Sequence, residues 1–147
     1  MRFGHISVGD FHSYFKFSII RNPWERLVSE YKYRIEETGL SFSDFLFFHF
    51  PKEGMSDFGR HIEPQWKFVC DANKNIIVDK IIRMENLQQE IEEIFRKVFN
   101  ERIVLPRKNQ SPNSADYRKF YDDRAARFVE EFYKDDIQLF NYTFERG

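Results

Sequence analysis

A chain of 147 residues, 41% hydrophobic and 32% charged, has room for one domain and the balance of a globular protein. Its formal net charge of −1 argues against broad nucleic-acid binding, which draws on a basic surplus, but leaves room for a local basic pocket that takes a small anion. The single cysteine, Cys70, excludes an intrachain disulfide and a cysteine-based metal site, and no run approaches the roughly 18 apolar residues of a membrane span.

No apolar leader opens the sequence, so the expectation is a soluble, cytoplasmic protein. Eighteen phenylalanines predict a ring-rich core. Along the chain, Ser7 with Asp10 three residues later has the form of a capping box and predicts a short helix. Phe15 to Ile20 reads as a buried strand. Asn22 then suits an N-cap, Pro23 the first helical position, and Glu25 the return bond of a capping box. Trp24, Leu27, Val28, Tyr31 and Ile35 recur at helical spacing as the buried stripe, and Thr38-Gly39 closes the helix. Ser41 to Phe50 predicts a second, aromatic helix that Pro51 stops.

Residues 51–65, rich in glycine, proline and charge, read as a long loop. Trp66 to Val69 and Ile76 to Ile82 read as strands joined by the turn-like Asp71 to Asn75. Asn86 and Gln89 are expected to cap a helix whose apolar face is Leu87, Ile91, Ile94, Phe95 and Val98. A short apolar run, Ile103 to Leu105, leads into a polar loop. Two closing helices carry Phe128, Val129, Phe132 and Tyr133 on one face. Strands alternating with helices indicate the α/β class, a largely parallel sheet flanked by helices. Ligands of such sheets sit beyond the carboxyl ends of the strands, where Arg21 falls.

Arg21 can grip a phosphate with two parallel hydrogen bonds. The helix after it is expected to aim free backbone N–H groups and its positive dipole end the same way. Ser29 lies nearly two turns past Asn22 and shares its helix face, so its hydroxyl can donate to the same anion. Spacing alone equally allows a salt-bridging arginine and an incidental helix serine.

The stretch FKFSIIRNPWERLVSEY closely resembles the 3′-phosphate-binding segment of sulfotransferases that use 3′-phosphoadenosine-5′-phosphosulfate (PAPS), above all their carbohydrate, family 2 branch. That pattern is an apolar strand followed by Arg-[Asn/Asp]-Pro-aromatic-x-Arg-Leu-x-Ser-x-Tyr, and each element is present. The resemblance implies a P-loop-NTPase-like sulfotransferase fold and transfer of a sulfuryl group from PAPS to a hydroxyl on a carbohydrate. It implies that Arg21 and Ser29 hold the 3′-phosphate of PAPS or of its product, 3′-phosphoadenosine-5′-phosphate (PAP). GHISVGDF is similar to the Gly-His-x-Ser-x-x-Asp-Phe stretch of uronyl 2-O-sulfotransferases, which makes His5 the implied catalytic base; a histidine titrates where such a proton transfer needs it. Arg107, Lys108 and Asn109 match the late loop that closes on the same phosphate, with Asn109 in place of the glycine of the Arg-Lys-Gly form. Asp79 and Glu85 match a family strand and are expected to be structural. Gln65 matches a Pro-Gln pair beside the acceptor. No metal is called for.

The family's earlier strand and glycine-lysine loop for the 5′-phosphosulfate have no counterpart in the sequence. The expectation is an N-terminally truncated member, which leaves a strand edge unpaired and apolar surface bare. The alternatives are a strand supplied by another chain, as in a homodimer, and a catalytically inactive PAP-binding or assembly module.

Overall fold

Two β-strands pair in parallel: β1 (Phe17–Ile20) with β2 (Lys80–Arg83), in register from Phe17↔Lys80 to Ile20↔Arg83. The computed structural model describes residues 7–34, 36, 39–50, 57–105 and 116–144, and all statements of fold concern these. Around the strands run α1 (Val8–Ser13), α2 (Pro23–Arg34), α3 (Phe42–Asp44), α4 (Asp57–Ile62), α5 (Trp66–Val69), α6 (Leu87–Phe99), α7 (Asp123–Phe132) and α8 (Lys134–Phe140). None of these helices is long and apolar enough to cross a membrane.

Strand alternation sends neighbouring isoleucines to opposite faces. Ile81 packs on the main core with Ile20, whereas Ile82 packs with Ile91 and Ile94 of α6. The sheet is thereby flanked by helices on both faces, which is the expected α/β arrangement at its smallest size. The outer edge of β1 has no strand partner among the described residues. Phe17 and Ile19 beside it remain exposed, as do Val8, Phe11, Tyr14 and Phe15 before it.

The ladder starts at a clamp. Asp79 Oδ2 accepts the Lys16 backbone N–H at 2.7 Å and pairs with the Lys16 ammonium at 2.9 Å, while the Asp79 N–H returns to the Lys16 carbonyl. The hydrogen bond from the Lys16 N–H, followed by the Lys16 side chain, holds the Asp79 carboxyl below the usual carboxylate value. A lowered pKa means the carboxylate stabilises the fold above its unfolded value of about 3.9, and this is lost as pH falls through the lower folded value. Urea midpoints of native and Asp79→Asn protein are therefore expected to differ at neutral pH and to converge below about pH 4; a gap that persists unchanged into acid contradicts the clamp.

The main core is as aromatic as the composition predicts. Trp24, Leu27, Val28 and Tyr31 are the buried stripe of α2. They meet Phe42, Phe45 and Phe50 from the second helical segment and Val129 and Tyr133 from the C-terminal pair. Phe50 stands edge-on to Phe128 and Phe132, with centroids 5.3 and 5.0 Å apart, in the T-shaped geometry that ring quadrupoles favour. The second helix begins at its Ser41 cap but widens into a π-helical turn (Phe45–His49), which turns both Phe45 and Leu46 inward.

Several local expectations give way to long-range contacts. Trp66–Val69 is helical, not extended, because Asp136 caps the N–H groups of Gln65 and Trp66. Of the run Ile76 to Ile82, only the part from Lys80 joins the sheet; Ile76 forms an isolated antiparallel bridge with Cys70. The stretch read as a loop contains α4, whose final carbonyls are gathered by Arg26: its guanidinium donates to His61 O and Glu63 O. At α6 the Asn86 side chain makes no cap bond, and Gln88 instead pairs with Ile103 O and Leu105 N.

Candidate functional site at the carboxyl end of the sheet

β1 ends at Ile20, and the next residue places its side chain beyond the sheet. Arg21 Nη2 donates to Glu25 Oε1 at 2.7 Å, one helical turn on. The Arg21 side chain is 29% exposed, and no described residue accepts from its buried Nε. A buried orphan donor on a cation is a costly arrangement unless something arrives to accept it. A small oxyanion fits that requirement.

The first turn of α2 differs from the expectation of free N–H groups. Asn22 Oδ1 accepts from the N–H of Trp24 at 3.0 Å and of Glu25 at 3.3 Å, so the helix is capped by its own asparagine. Glu25 does not complete a capping box, because its carboxylate is turned to Arg21. The Asn22 N–H goes instead to Glu85 Oε1, from 63 residues downstream, at 2.8 Å. Glu85 is fixed in turn by the Tyr142 hydroxyl at 3.2 Å. Burial, then the adjacent Glu85 charge, pushes the Tyr142 phenol up, so it stays a donor. Glu85 is structural, as expected. An anion here meets side chains rather than an open helix end.

Ser29 sits on α2 four residues after Glu25, so those two share one helix face, and Arg21, which precedes the helix, reaches that face through its bond to Glu25. Ser29 is half-buried, and no described residue hydrogen-bonds its hydroxyl. A surface hollow of about 550 Å³ opens beside the last ladder pair, with Ile20, Ile81, Arg83, Asn86, Glu90 and Asn141 in its wall. Neither Arg21 nor Ser29 lines it.

Gln65, expected beside an acceptor, lies under the strand tip and is buried. Its amide oxygen accepts the Arg21 backbone N–H and its amide nitrogen donates to the Arg21 carbonyl, both at 2.9 Å. His5, Arg107, Lys108 and Asn109 lie outside the described residues. Sequence reading missed Glu25, whose i,i+4 spacing from Arg21 was the available signal, and Asp136, for which no local signal exists.

Compared with known proteins, the chain matches a family model described as "Sulfotransferase family" over residues 6–143. No curated protein and no solved structure matches it.

Proposed function

Because the chain belongs to the Sulfotransferase family, we propose that it moves a sulfuryl group from PAPS to a hydroxyl of a carbohydrate, with Arg21 and Ser29 holding the 3′-phosphate. The observation that carries this reading is the Arg21 side chain at the strand tip, partly exposed and with a buried Nε donor that no described residue accepts. PAPS, when bound, supplies the activated sulfuryl group. Arg21 then trades Glu25 for a phosphate that offers two acceptor oxygens in the matching geometry. The Ser29 hydroxyl, one helical turn past Glu25, donates to the same group. His5 takes the proton of the acceptor hydroxyl as its oxygen forms the new bond to sulfur, and PAP carries away the electrons of the broken bond. Arg107, Lys108 and Asn109 close over the 3′-phosphate. The roles of these last four residues rest on the family resemblance.

The test is a calorimetric titration of the chain with PAP and with adenosine 5′-phosphate, which differ by the 3′-phosphate. PAP is expected to bind at least about tenfold more tightly, the worth of one charge-assisted contact. Equal affinities overturn the phosphate assignment. Preferential PAP binding without turnover of PAPS on any sugar acceptor leaves a PAP-binding module rather than an enzyme.

A further inference from the structure

Arg21 is held by its backbone, from below, through a pair of buried polar side chains. Gln65 is 8% exposed and Asp136 is fully buried. The Gln65 amide meets both the N–H and the carbonyl of Arg21, the arrangement a neighbouring strand would make at the next ladder position. The pairing of β1 with β2 stops at Ile20↔Arg83. Gln65 thus extends the order of the sheet by one residue, to the one whose side chain carries the charge.

Gln65 is itself fixed by Asp136 of α8. One carboxylate oxygen accepts the Gln65 N–H at 2.7 Å and faces the amide nitrogen at 3.4 Å, and the other accepts the Trp66 N–H at 2.8 Å. Burial raises the Asp136 pKa, and these N–H donors pull it back. Two acceptors also fix the orientation of the Gln65 amide: its nitrogen faces the Asp136 carboxylate and the Arg21 carbonyl, so its oxygen must face the Arg21 N–H. A reversed amide would set its oxygen against two acceptors.

We propose that Gln65 and Asp136 are positioning residues for the phosphate grip: Asp136 orients the Gln65 amide, and Gln65 fixes the backbone from which Arg21 reaches the 3′-phosphate. This role rests on the proposed phosphate site and assigns Gln65 to the cofactor side of the reaction, not to the acceptor. A side chain as long as arginine samples many rotamers, and a fixed Cα narrows where its fork can arrive.

Gln65→Met keeps the length of the side chain and removes both amide bonds to Arg21. By titration this variant binds PAP about tenfold more weakly than the native chain, while adenosine 5′-phosphate changes less than about twofold. In an Arg21→Ala background the same substitution causes no further loss, because there is no longer a guanidinium to place. Equal weakening of both ligands, or a full additional loss on top of Arg21→Ala, overturns the positioning role and leaves the phosphate site standing. A native chain that does not prefer PAP overturns the phosphate site and this role together. Asp136→Asn, which leaves Gln65 in place, gives the same PAP-selective loss. Amide hydrogen exchange on the native chain needs no variant: slow exchange at Arg21 supports the pairing, and exchange at the rate of an open loop overturns it.

Discussion

Replacing Arg21 with alanine is expected to weaken PAP binding about 10- to 100-fold while hardly moving the melting transition. The binding loss follows from about 1.5–3 kcal/mol for a charge-assisted contact. The small effect on stability has a separate reason. The Arg21–Glu25 pair joins side chains 29% and 33% exposed at i,i+4 spacing, and such pairs contribute about 0–0.5 kcal/mol. Alanine also removes the orphaned Nε donor, whose burial is unfavourable in the ligand-free chain. Arg21→Lys retains the charge but not the fork, and is expected to recover only part of the affinity. Isothermal titration alongside a thermal melt checks both halves. An Arg21→Ala protein that melts far lower and keeps its PAP affinity would make the residue a structural one.

The largest loss of stability is expected at Trp24. It is 2% exposed, its ring lies 5.5 Å from that of Phe144, and its indole N–H donates to Ala126 O at 3.1 Å. That bond ties α2 to α7, and the Tyr121 hydroxyl returns to the Trp24 carbonyl at 2.9 Å. Trp24→Ala is expected to cost about 3–5 kcal/mol from lost transfer energy and the cavity left behind. Trp24→Phe fills most of the space and loses only the indole bond to the Ala126 carbonyl, at a cost of about 0.5–1.5 kcal/mol. Urea unfolding of the two variants separates these contributions, because only the alanine variant creates the large cavity. A Trp24→Ala protein as stable as the native chain would mean that α2 is not anchored in this way.

Local pattern made the strand–arginine–helix unit legible. The apolar run ends where β1 ends, Asn22 caps, and the α2 stripe is the buried face from Trp24 to Tyr31. The same holds for Ser7, whose side chain and Asp10 form the box that spacing predicted. Trp66 to Val69 was not legible, because a four-residue apolar run has no period of its own, and the group that makes it helical, Asp136, is 70 residues away. The end of α4 is likewise fixed by Arg26 from another helix. At the site, the position of Arg21 followed from the sequence, but its surroundings did not. The pattern gave no sign that Gln65 would take its backbone, or that Glu85 would take the N–H of Asn22. In both cases a side chain completes the hydrogen bonding of a strand tip from a distant part of the chain, and local spacing carries no record of that.

The structure of the chain crystallised with PAP tests the phosphate site most directly. The account predicts 3′-phosphate oxygens within about 3 Å of the Arg21 guanidinium and the Ser29 hydroxyl, with the Glu25 carboxylate turned away and the Gln65 pairing intact. A phosphate seated elsewhere, with Arg21 still bound to Glu25, would contradict it.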